Sequence, residues 1–597
     1  MTMKDVCQGV SLFRHLYSRI VPSARSSLGL ALLAAGSVLS SVSAATTHTW
    51  TGGAGTGNWS DGANWDLGVP ANGDNLTFSG TVGQSNTNNL LTSVGNIAFT
   101  QSGFAISGNA LTMGGTFTSS GDTSWSIPVT LSANFLRFQS NIGMLTLNGN
   151  IDNAGYPLTI LAGYAIGDDG PITVNGVISG SGKLIKDGYS TATLTRDNTY
   201  SGVTKITAGK LAVSSDNNLG TVPGTAADNI ELDGGLLAAT SSFTLNNKRN
   251  SKILRTIESG FWADSGVTLT YGGVISASGS TPSYVLRLDG PGTIELSGKN
   301  TYKGNTTIFA TVVRILNSQA LGLTNVTLPS TVLVNNLSTL QLAGGVTVNK
   351  ILALDLANLV NLTGDNTWSG YISIQINPGG KSVISAAAGT KLTLSGEVAI
   401  STQTPEDPVN QFENLYLAGA GDIDITGTIS EEISGAGGYI LGHGDVVMEG
   451  SGTLTLSSDN TYSGRTIMKN GIVSVTGDSN FGAVPAATTE GRLVLSGGTL
   501  ACDASFTINS NRGIALGSAL QSGTGTIQVA ESCVVSYAGA FADISTGTGA
   551  LTKNGAGTLE LTGASTYSLG TSVDAGTLRV NNTTGSATGT GKVTVGS

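Results

Sequence analysis

The residue types that carry nucleophilic and acid–base chemistry are sparse in this 597-residue chain. Beyond the first 44 residues, histidine occurs only as His48 and His443. A serine–histidine–aspartate site would therefore have to use His443, which lies in the sequence Gly442-His-Gly-Asp445. Glycine on both sides of a histidine is more typical of a corner between strands than of a fixed base. We therefore expect no catalytic residue at this position.

Carboxylates occur in three close pairs, and a pair on one face could act as acid and base in a polysaccharide lyase or glycosidase, or bind calcium. The pairs are Asp168-Asp169, Asp422 with Asp424, and Glu431-Glu432. Adjacent strand residues point to opposite faces, so the first and third pairs are poor candidates unless the backbone turns there. The second pair could share a face. A carbohydrate-active enzyme is therefore kept as an alternative hypothesis.

Signatures of metal and cofactor sites are missing from the sequence. It contains no P-loop, dinucleotide-binding fingerprint, zinc-ligand spacing or Gly-Gly-x-Gly-x-Asp calcium repeat. Of the three cysteines, Cys7 lies near the N-terminus, and Cys502 and Cys533 are 31 residues apart. These last two are either small buried residues or, after export, the two halves of a disulfide. We expect no metal ligand, no cofactor and no catalytic residue.

The first 44 residues have the pattern of a secretory signal peptide. Four basic residues precede an apolar run at residues 28–39, and Val42-Ser-Ala44 supplies the small residues at which such signals are cut. The apolar run is shorter than the roughly 20 residues that a transmembrane helix needs. We therefore predict export, with cleavage after Ala44.

The charge of the remaining chain excludes one class of partner. Without residues 1–44 the formal net charge changes from −10 to −13, because four positive charges and one negative charge are lost. An acidic chain with scattered lysine and arginine lacks the basic surface that nucleic acids require. Anionic membrane surfaces would repel it as well. We expect no nucleic-acid partner.

The rest of the sequence shows a repeating pattern that predicts short strands, and the polar residues above are scattered through it. In residues 452–475, apolar and small polar residues alternate on both sides of Asn460-Thr-Tyr-Ser-Gly464, and such alternation between turn residues predicts β-strands. The corner recurs as Asn198-Thr-Tyr-Ser-Gly202, Asn300-Thr-Tyr-Lys-Gly304, Asn366-Thr-Trp-Ser-Gly370 and Ser565-Thr-Tyr-Ser568. Residues 232–238 also recur 263 positions later, at 495–501. A register held this closely indicates internal duplication.

The repeats predict an all-β parallel solenoid in which each coil contacts only its neighbours. Each coil would take about 20–25 residues. Glycine is abundant, with 85 residues, but has no Gly-X-Y period, which excludes collagen. Asn-Gly between strands also suits hairpins, so an antiparallel sandwich or propeller is the alternative fold. We expect the solenoid to cover residues 81–597, in cassettes of about 181–290, 291–440 and 441–597.

Aromatic residues mark two features of the predicted solenoid. Residues 45–80 contain Trp50, Trp59 and Trp65, which either form a sugar-stacking platform or, as we favour, belong to a cap that covers the open end of the first coil.

The aromatic residue of each corner is the second feature. Tyr200, Tyr302, Trp368, Tyr462 and Tyr567 could form a binding ladder. Their spacing of 66 to 105 residues places them several coils apart, so packing inside a corner is the favoured interpretation.

Three motifs follow one another along the chain: Gly-Thr-Leu-x-Leu-x-Gly, Asn-Thr-Tyr-Ser-Gly and Gly-Thr-Leu-x-Val. This succession resembles the autotransporter-associated β-strand repeat, also called the passenger-associated transport repeat. The best copies are residues 182–213, 292–315, 452–475 and 557–580. The resemblance implies a right-handed, pectin-lyase-like β-helix exposed outside a Gram-negative-type cell, as the passenger of a type V secretion system. It implies no catalytic residues.

The expected function is therefore that of an exported, structural or adhesive β-helix protein, secreted or held at the outer cell surface. Glycans or other cell-surface molecules are the expected partners. Because Ser597 falls within a repeat, a further hypothesis is that the sequence is a fragment of a full type V autotransporter without its C-terminal barrel. Outer-membrane association would then require that missing translocator or a separate one.

Overall fold

The computed structural model describes residues 45–324, 329–375, 380–403, 414–434, 443–517, 523–544 and 547–596. The predicted signal peptide lies outside these residues. They form a parallel β-solenoid of about 21 turns, divided into two compact units at residues 182 and 183. Helical structure among the described residues is confined to three short 3-10 helices, Gly62–Asn64, Asp216–Leu219 and Asp478–Phe481. No described helix has the length and hydropathy of a membrane span.

The first unit has three sheets, and each turn after the first contributes one short strand to each sheet. The first sheet consists of Thr47–Trp50, Asn75–Phe78, Ile97–Phe99, Thr116–Ser119, Arg137–Ser140 and Leu158–Ala162. The second sheet consists of Ser85–Asn88, Phe104–Gly108, Thr123–Trp125, Leu145–Leu147 and Ile172–Val174. The third sheet consists of Ser93–Val94, Leu111–Met113, Val129–Leu131, Ile151–Asp152 and Ile178–Ser179.

The second unit has five sheets that overlap along the solenoid, and some end where others begin. Sheet A contains Leu184–Asp187, Thr204–Ile206, Ala227–Leu232, Arg249–Ile253 and Ile275–Ala277. Sheet B contains Thr191–Leu194, Lys210–Val213, Leu236–Ala239, Ser259–Ala263, Leu286–Asp289, Thr306–Phe309, Thr331–Asn335, Ile351–Asp355, Ile372–Ile374, Val398–Gln403 and Ile429–Ser434.

Sheets C, D and E of this unit begin later. Sheet C contains Phe243–Leu245, Thr268–Tyr271, Thr293–Leu296, Val312–Ile315, Thr339–Ala343, Asn358–Thr363, Val383–Ala386, Leu415–Gly419, Val446–Met448, Thr466–Met468, Thr489–Leu495, Arg512–Leu516 and Phe541–Asp543. Sheet D contains Thr347–Val348, Asn366–Trp368, Lys391–Leu394, Asp422–Ile425, Thr453–Leu456, Ile472–Val475, Thr499–Cys502, Gly523–Val529, Gly549–Asn554, Thr571–Val573 and Val593–Val595. Sheet E contains Phe506–Ile508, Val534–Tyr537, Thr558–Leu561 and Thr577–Val580.

The core of the second unit consists of apolar residues stacked in register from coil to coil. Within sheet B one buried ladder runs through Leu211, Leu237, Phe261, Leu288, Ile308, Val334, Leu354, Ile374 and Ile400. Full burial of one such side chain contributes about 1.5–3 kcal/mol. The paired strands, such as these, are parallel, so the antiparallel sandwich or propeller is wrong and the parallel solenoid is confirmed. The right-handed sense of the solenoid remains a prediction.

The Asn-Thr-Tyr corner ends a sheet. Sheet A stops at Ile275–Ala277, where the next coil places Asn300 above Ile275. The Asn300 Oδ1 accepts the Ile275 N–H at 2.7 Å, and its Nδ2 donates to the Ala320 carbonyl of the following coil at 2.6 Å. Thr301 N–H donates to the Ile275 carbonyl at 2.9 Å. One side chain thus satisfies backbone groups of two coils where no strand follows.

The same arrangement ends sheet B at Ile429–Ser434. Asn460 accepts the Ile429 N–H at 2.7 Å and donates to the Asn480 carbonyl at 2.7 Å. The corner closes tightly, because a Cβ on Gly464 would lie only 2.0 Å from the Gly444 carbonyl oxygen of the coil below. Glycine is therefore required at this corner for close approach rather than for flexibility.

The corner aromatics are core residues. Tyr200, Tyr302, Tyr462 and Tyr567 are each at most 1% exposed, and their hydroxyls lie in hydrogen-bond contact with the threonine four residues later. Trp368 is fully buried and donates from Nε1 to the Lys350 carbonyl at 2.9 Å. Buried rings cannot form a surface ladder, so these residues pack the corners.

The tryptophans of the first coil are also buried. Trp50, Trp59 and Trp65 are at most 4% exposed, and the rings of Trp50 and Trp65 meet edge to face at 5.0 Å. Trp59 donates from Nε1 to Asn86 Oδ1 at 2.7 Å, and Trp65 donates to the Trp59 carbonyl. Because the ring faces are covered, they cannot serve as an exposed sugar-stacking platform. The boundaries of the predicted cap stay a prediction.

Candidate functional site

Asp422 and Asp424 form structural contacts between coils of the solenoid. Asp422 and Asp424 share the outward face of their strand, as alternation predicts. Asp422 Oδ1 accepts the Thr453 N–H of the next coil at 3.0 Å, and Asp424 lies 3.4 Å from the Lys391 ammonium of the previous coil. Each carboxylate thus has a structural partner on a neighbouring coil.

The Asp168-Asp169 pair belongs to a turn of the first unit. Asp168 Oδ2 accepts the Ala165 N–H at 2.8 Å, and the Asp169 carbonyl accepts the Gly143 N–H at 3.1 Å. Asp168 is partly buried and Asp169 is exposed. The two residues therefore have different surroundings and different roles.

A concentrated group of polar residues lies where sheet B ends, and we call it the polar notch. It comprises Glu431, His443 and Ser463, the ion pair of Asp445 with Arg465, and Arg492. Arg492 precedes Leu493, which pairs with Thr466, the residue after Arg465. Glu431 lies in register above Ile374 and Ile400, at the core-facing position of the last strand. A carboxylate can occupy this position because the next coil supplies polar groups there instead of another strand.

The Glu431 carboxylate is held by two donors. Ser463 Oγ donates to its Oε2 at 2.6 Å, and the Gly444 N–H donates to its Oε1 at 3.1 Å. His443 Nδ1 lies in hydrogen-bond contact with Ser463 Oγ. Because an ionised carboxylate only accepts, the serine proton points to Glu431 and His443 Nδ1 must donate to Ser463. In a catalytic triad the histidine instead accepts the serine proton, so these residues do not form one.

The neighbouring charges of the notch are paired. Asp445 Oδ2 accepts two hydrogen bonds from the Arg465 guanidinium, at 2.6 and 3.0 Å, and its Oδ1 accepts the Arg465 N–H at 2.8 Å. Glu432 faces away from Glu431, and its Oε2 accepts the Tyr371 hydroxyl at 2.7 Å. The adjacent glutamates therefore have separate partners, as the strand geometry predicts.

Two buried arginines occupy equivalent places in the two copies of the duplication. Arg249 and Arg512 are 263 residues apart and fully buried. Their Nε atoms lie 3.0 Å from Asp216 and 2.9 Å from Asp478, respectively. Their remaining donors bond to carbonyls at the end of the preceding 3-10 helix, such as Gly482 O at 2.7 Å. Each arginine thus locks a 3-10 helix to the next coil.

The copies differ beside this arginine. In the first copy, Asn229 Oδ1 accepts from Arg249 Nη1 at 2.6 Å. The corresponding residue of the second copy is Arg492, which follows an irregularity in its strand between Thr489 and Leu493. Arg492 is only 8% exposed, and its Nε has no hydrogen-bond partner. Burial and the charge of Arg512 lower the pKa of the Arg492 guanidinium.

None of these arginines belongs to a catalytic motif, so the sequence motifs do not identify them. Alignment of the two copies against each other could have found Arg492, because it is a charged residue at a position where the other copy has asparagine.

The described residues contain no group of three or more histidine, cysteine, aspartate or glutamate side chains that could hold a metal ion. Two open surface depressions, of about 270 and 490 Å³, lie elsewhere, the larger beside Asp216 and Asn246. Cys502 is buried and Cys533 is partly exposed, and both are free thiols in the structure. The disulfide between them stays a prediction.

Comparison with known proteins finds a transport repeat of autotransporter passengers in this solenoid. The model of the passenger-associated-transport-repeat family matches residues 184–213, 286–310, 446–475 and 551–580. The chain therefore carries this repeat four times, and the resemblance inferred from its corners is confirmed.

One curated relative is described as "Adhesin BmaC autotransporter", from Brucella suis biovar 1 (strain 1330). It is 27% identical over 441 residues, a span that covers 69% of this chain and 12% of the relative. The chain thus spans about an eighth of the length of that relative. No solved structure matches the chain.

Proposed function

We propose that this chain is an exported, adhesive passenger β-solenoid that acts at the outer surface of a Gram-negative-type bacterium by binding rather than by catalysis. The observation that carries the proposal is the occurrence of four passenger-associated transport repeats on one parallel solenoid. The adhesin name of the relative supports a binding role. A signal-like N-terminal segment, residues 1–44, supports export.

The contacts of the polar residues support binding over catalysis. The proton of Ser463 points to Glu431, so His443 is not placed to activate it. Asp422 and Asp424 have partners on neighbouring coils. Catalysis requires a base or nucleophile whose reactive atom is free to meet substrate, and these groups are used for structure.

Export is tested by fusing residues 1–44 to a reporter that folds only outside the cytoplasm of a Gram-negative bacterium. We expect reporter activity and a processed N-terminus at Ala45. A reporter that stays inactive and unprocessed would contradict the proposed export. A fusion in which residues 28–39 are replaced by polar residues is the matched control.

Adhesion is tested with beads coated with the purified chain and presented to cultured animal cells. We expect beads carrying the chain to bind more cells than beads carrying an unrelated acidic protein of similar size. Equal binding by both kinds of bead to all cell types offered would contradict an adhesive role. Incubation with polyuronates in parallel tests the enzymatic alternative, because release of oligosaccharides would show that the chain is an enzyme.

A further inference from the structure

We propose that the polar notch binds an acidic sugar, with the sugar carboxylate on Arg492 and the sugar hydroxyls on Glu431 and Ser463. The inference rests on the adhesive function proposed above and names the class of ligand that the adhesin would recognise.

The first argument is that the buried Nε of Arg492 lacks a hydrogen-bond partner. The residue is more than nine-tenths buried, and no described carboxylate lies within ion-pair distance of it. An arginine always carries its charge, and a buried charge without a partner is costly. A protein tolerates this arrangement where a ligand supplies the missing carboxylate, for which the guanidinium fork has the matching geometry.

The second argument is that the fold does not need an arginine there. In the first copy the same position holds Asn229, which completes the hydrogen bonds of Arg249. The second copy keeps the buried arginine, as Arg512, and its carbonyl partners. Arg492 therefore replaces a neutral acceptor with a second cation beside Arg512, which a purely structural role does not explain.

The third argument is that the surroundings of Arg492 changed together with it. The charge also differs at two further positions of the notch: Asp445 stands where the first copy has Lys183, and Arg465 stands where it has Val203. Asp445 is engaged by Arg465 at 2.6 Å. The differences in charge are thus concentrated in one place, and Arg492 lies outside the ion pair of Asp445 with Arg465.

The class of ligand follows from the neighbours of Arg492. The charges of Glu431 and Asp445 both act on its guanidinium, and they would repel a multiply charged anion such as a phosphate monoester. A single carboxylate that carries hydroxyl groups fits better. Its hydroxyls can donate to Glu431 and to the remaining lone pair of Ser463 Oγ. A hexuronate unit of a surface glycan has these groups.

The test measures binding of D-glucuronate, D-glucose and acetate to the purified chain by calorimetry and ligand-observed NMR. We expect glucuronate to bind at least roughly tenfold more tightly than glucose or acetate, since both halves of the ligand make contacts. Arg492→Asn, which copies the first repeat, should weaken glucuronate binding by roughly tenfold or more. Arg314→Gln is the matched control, because it also removes one cation but lies in a surface ion pair with Glu295 at 3.1 Å.

Two results would overturn the inference: a folded chain that does not bind glucuronate, or an Arg492→Asn variant that binds it as tightly as the parent chain. If Arg492→Asn unfolds, Arg492→Lys replaces it, because lysine keeps the positive charge but lacks the two parallel donors of the guanidinium. Unchanged glucuronate binding by Arg492→Lys would also refute the inference. Beads that adhere to cells while glucuronate fails to bind would sink this inference alone. Beads that do not adhere while glucuronate binds would sink the adhesive function alone.

Discussion

The side chain of Asn460 connects three coils at the end of sheet B, and its removal tests how the repeats build the fold. Asn460→Ala leaves the Ile429 N–H and the Asn480 carbonyl without the bonds of 2.7 Å that they make to this residue. Both residues are buried. An orphaned buried polar group costs about 1–3 kcal/mol, so we expect a local loss of about 2–6 kcal/mol.

Native-state hydrogen exchange at the Ile429 amide measures this loss directly. A loss of about 3 kcal/mol lowers the protection of that amide roughly 100-fold. Because each coil contacts only its neighbours, amides several coils away, in Thr306–Phe309, should keep their protection. Asn470→Ala is the control, since the Asn470 side chain is exposed and accepts only from the Gly471 N–H. We expect the control to change stability by less than about 0.5 kcal/mol.

The same experiment can be repeated at the end of sheet A. There Asn300→Ala should leave the Ile275 N–H and the Ala320 carbonyl without their hydrogen bonds to Asn300. A fall in protection of less than about threefold at both corners would refute the view that this asparagine terminates the sheets.

Two further predictions concern the neighbouring parts of the second copy. Gly482 has φ +80° and a Cβ there would lie 2.3 Å from the Tyr462 carbonyl oxygen, so Gly482→Ala should cost at least about 2 kcal/mol in denaturant unfolding, whereas Gly477→Ala, in open extended backbone, should cost less than about 1 kcal/mol. Equal costs would contradict a steric origin. Burial raises the pKa of the Cys502 thiol to about 12, so at about pH 8 an alkylating reagent should modify only the partly exposed Cys533 in the chain from residue 45 onward. Protection of both thiols until a reductant is added would instead establish the disulfide.

The corners illustrate how far the sequence leads. The alternation around Asn460-Thr-Tyr-Ser-Gly464 and the 263-residue duplication predict short parallel strands stacked in register, and the structure has them. The wide spacing of the corner aromatics predicts that Tyr462 packs inside its corner, and its burial confirms this. The sequence does not predict sheet termination, since that depends on a hydrogen bond between Asn460 and Ile429, 31 residues away. Sequence spacing alone does not identify which strand a corner covers.

The sequence by itself determined the class of fold, because period-two alternation and glycine-rich corners admit few structures besides a stack of parallel coils. It also determined that the charged residues are few and dispersed. Only the tertiary structure decided which of them meet. Glu431 and Ser463 are about 30 residues apart in the sequence, roughly the length of one coil. The solenoid brings their side chains to 2.6 Å because each turn returns the chain to nearly the same place.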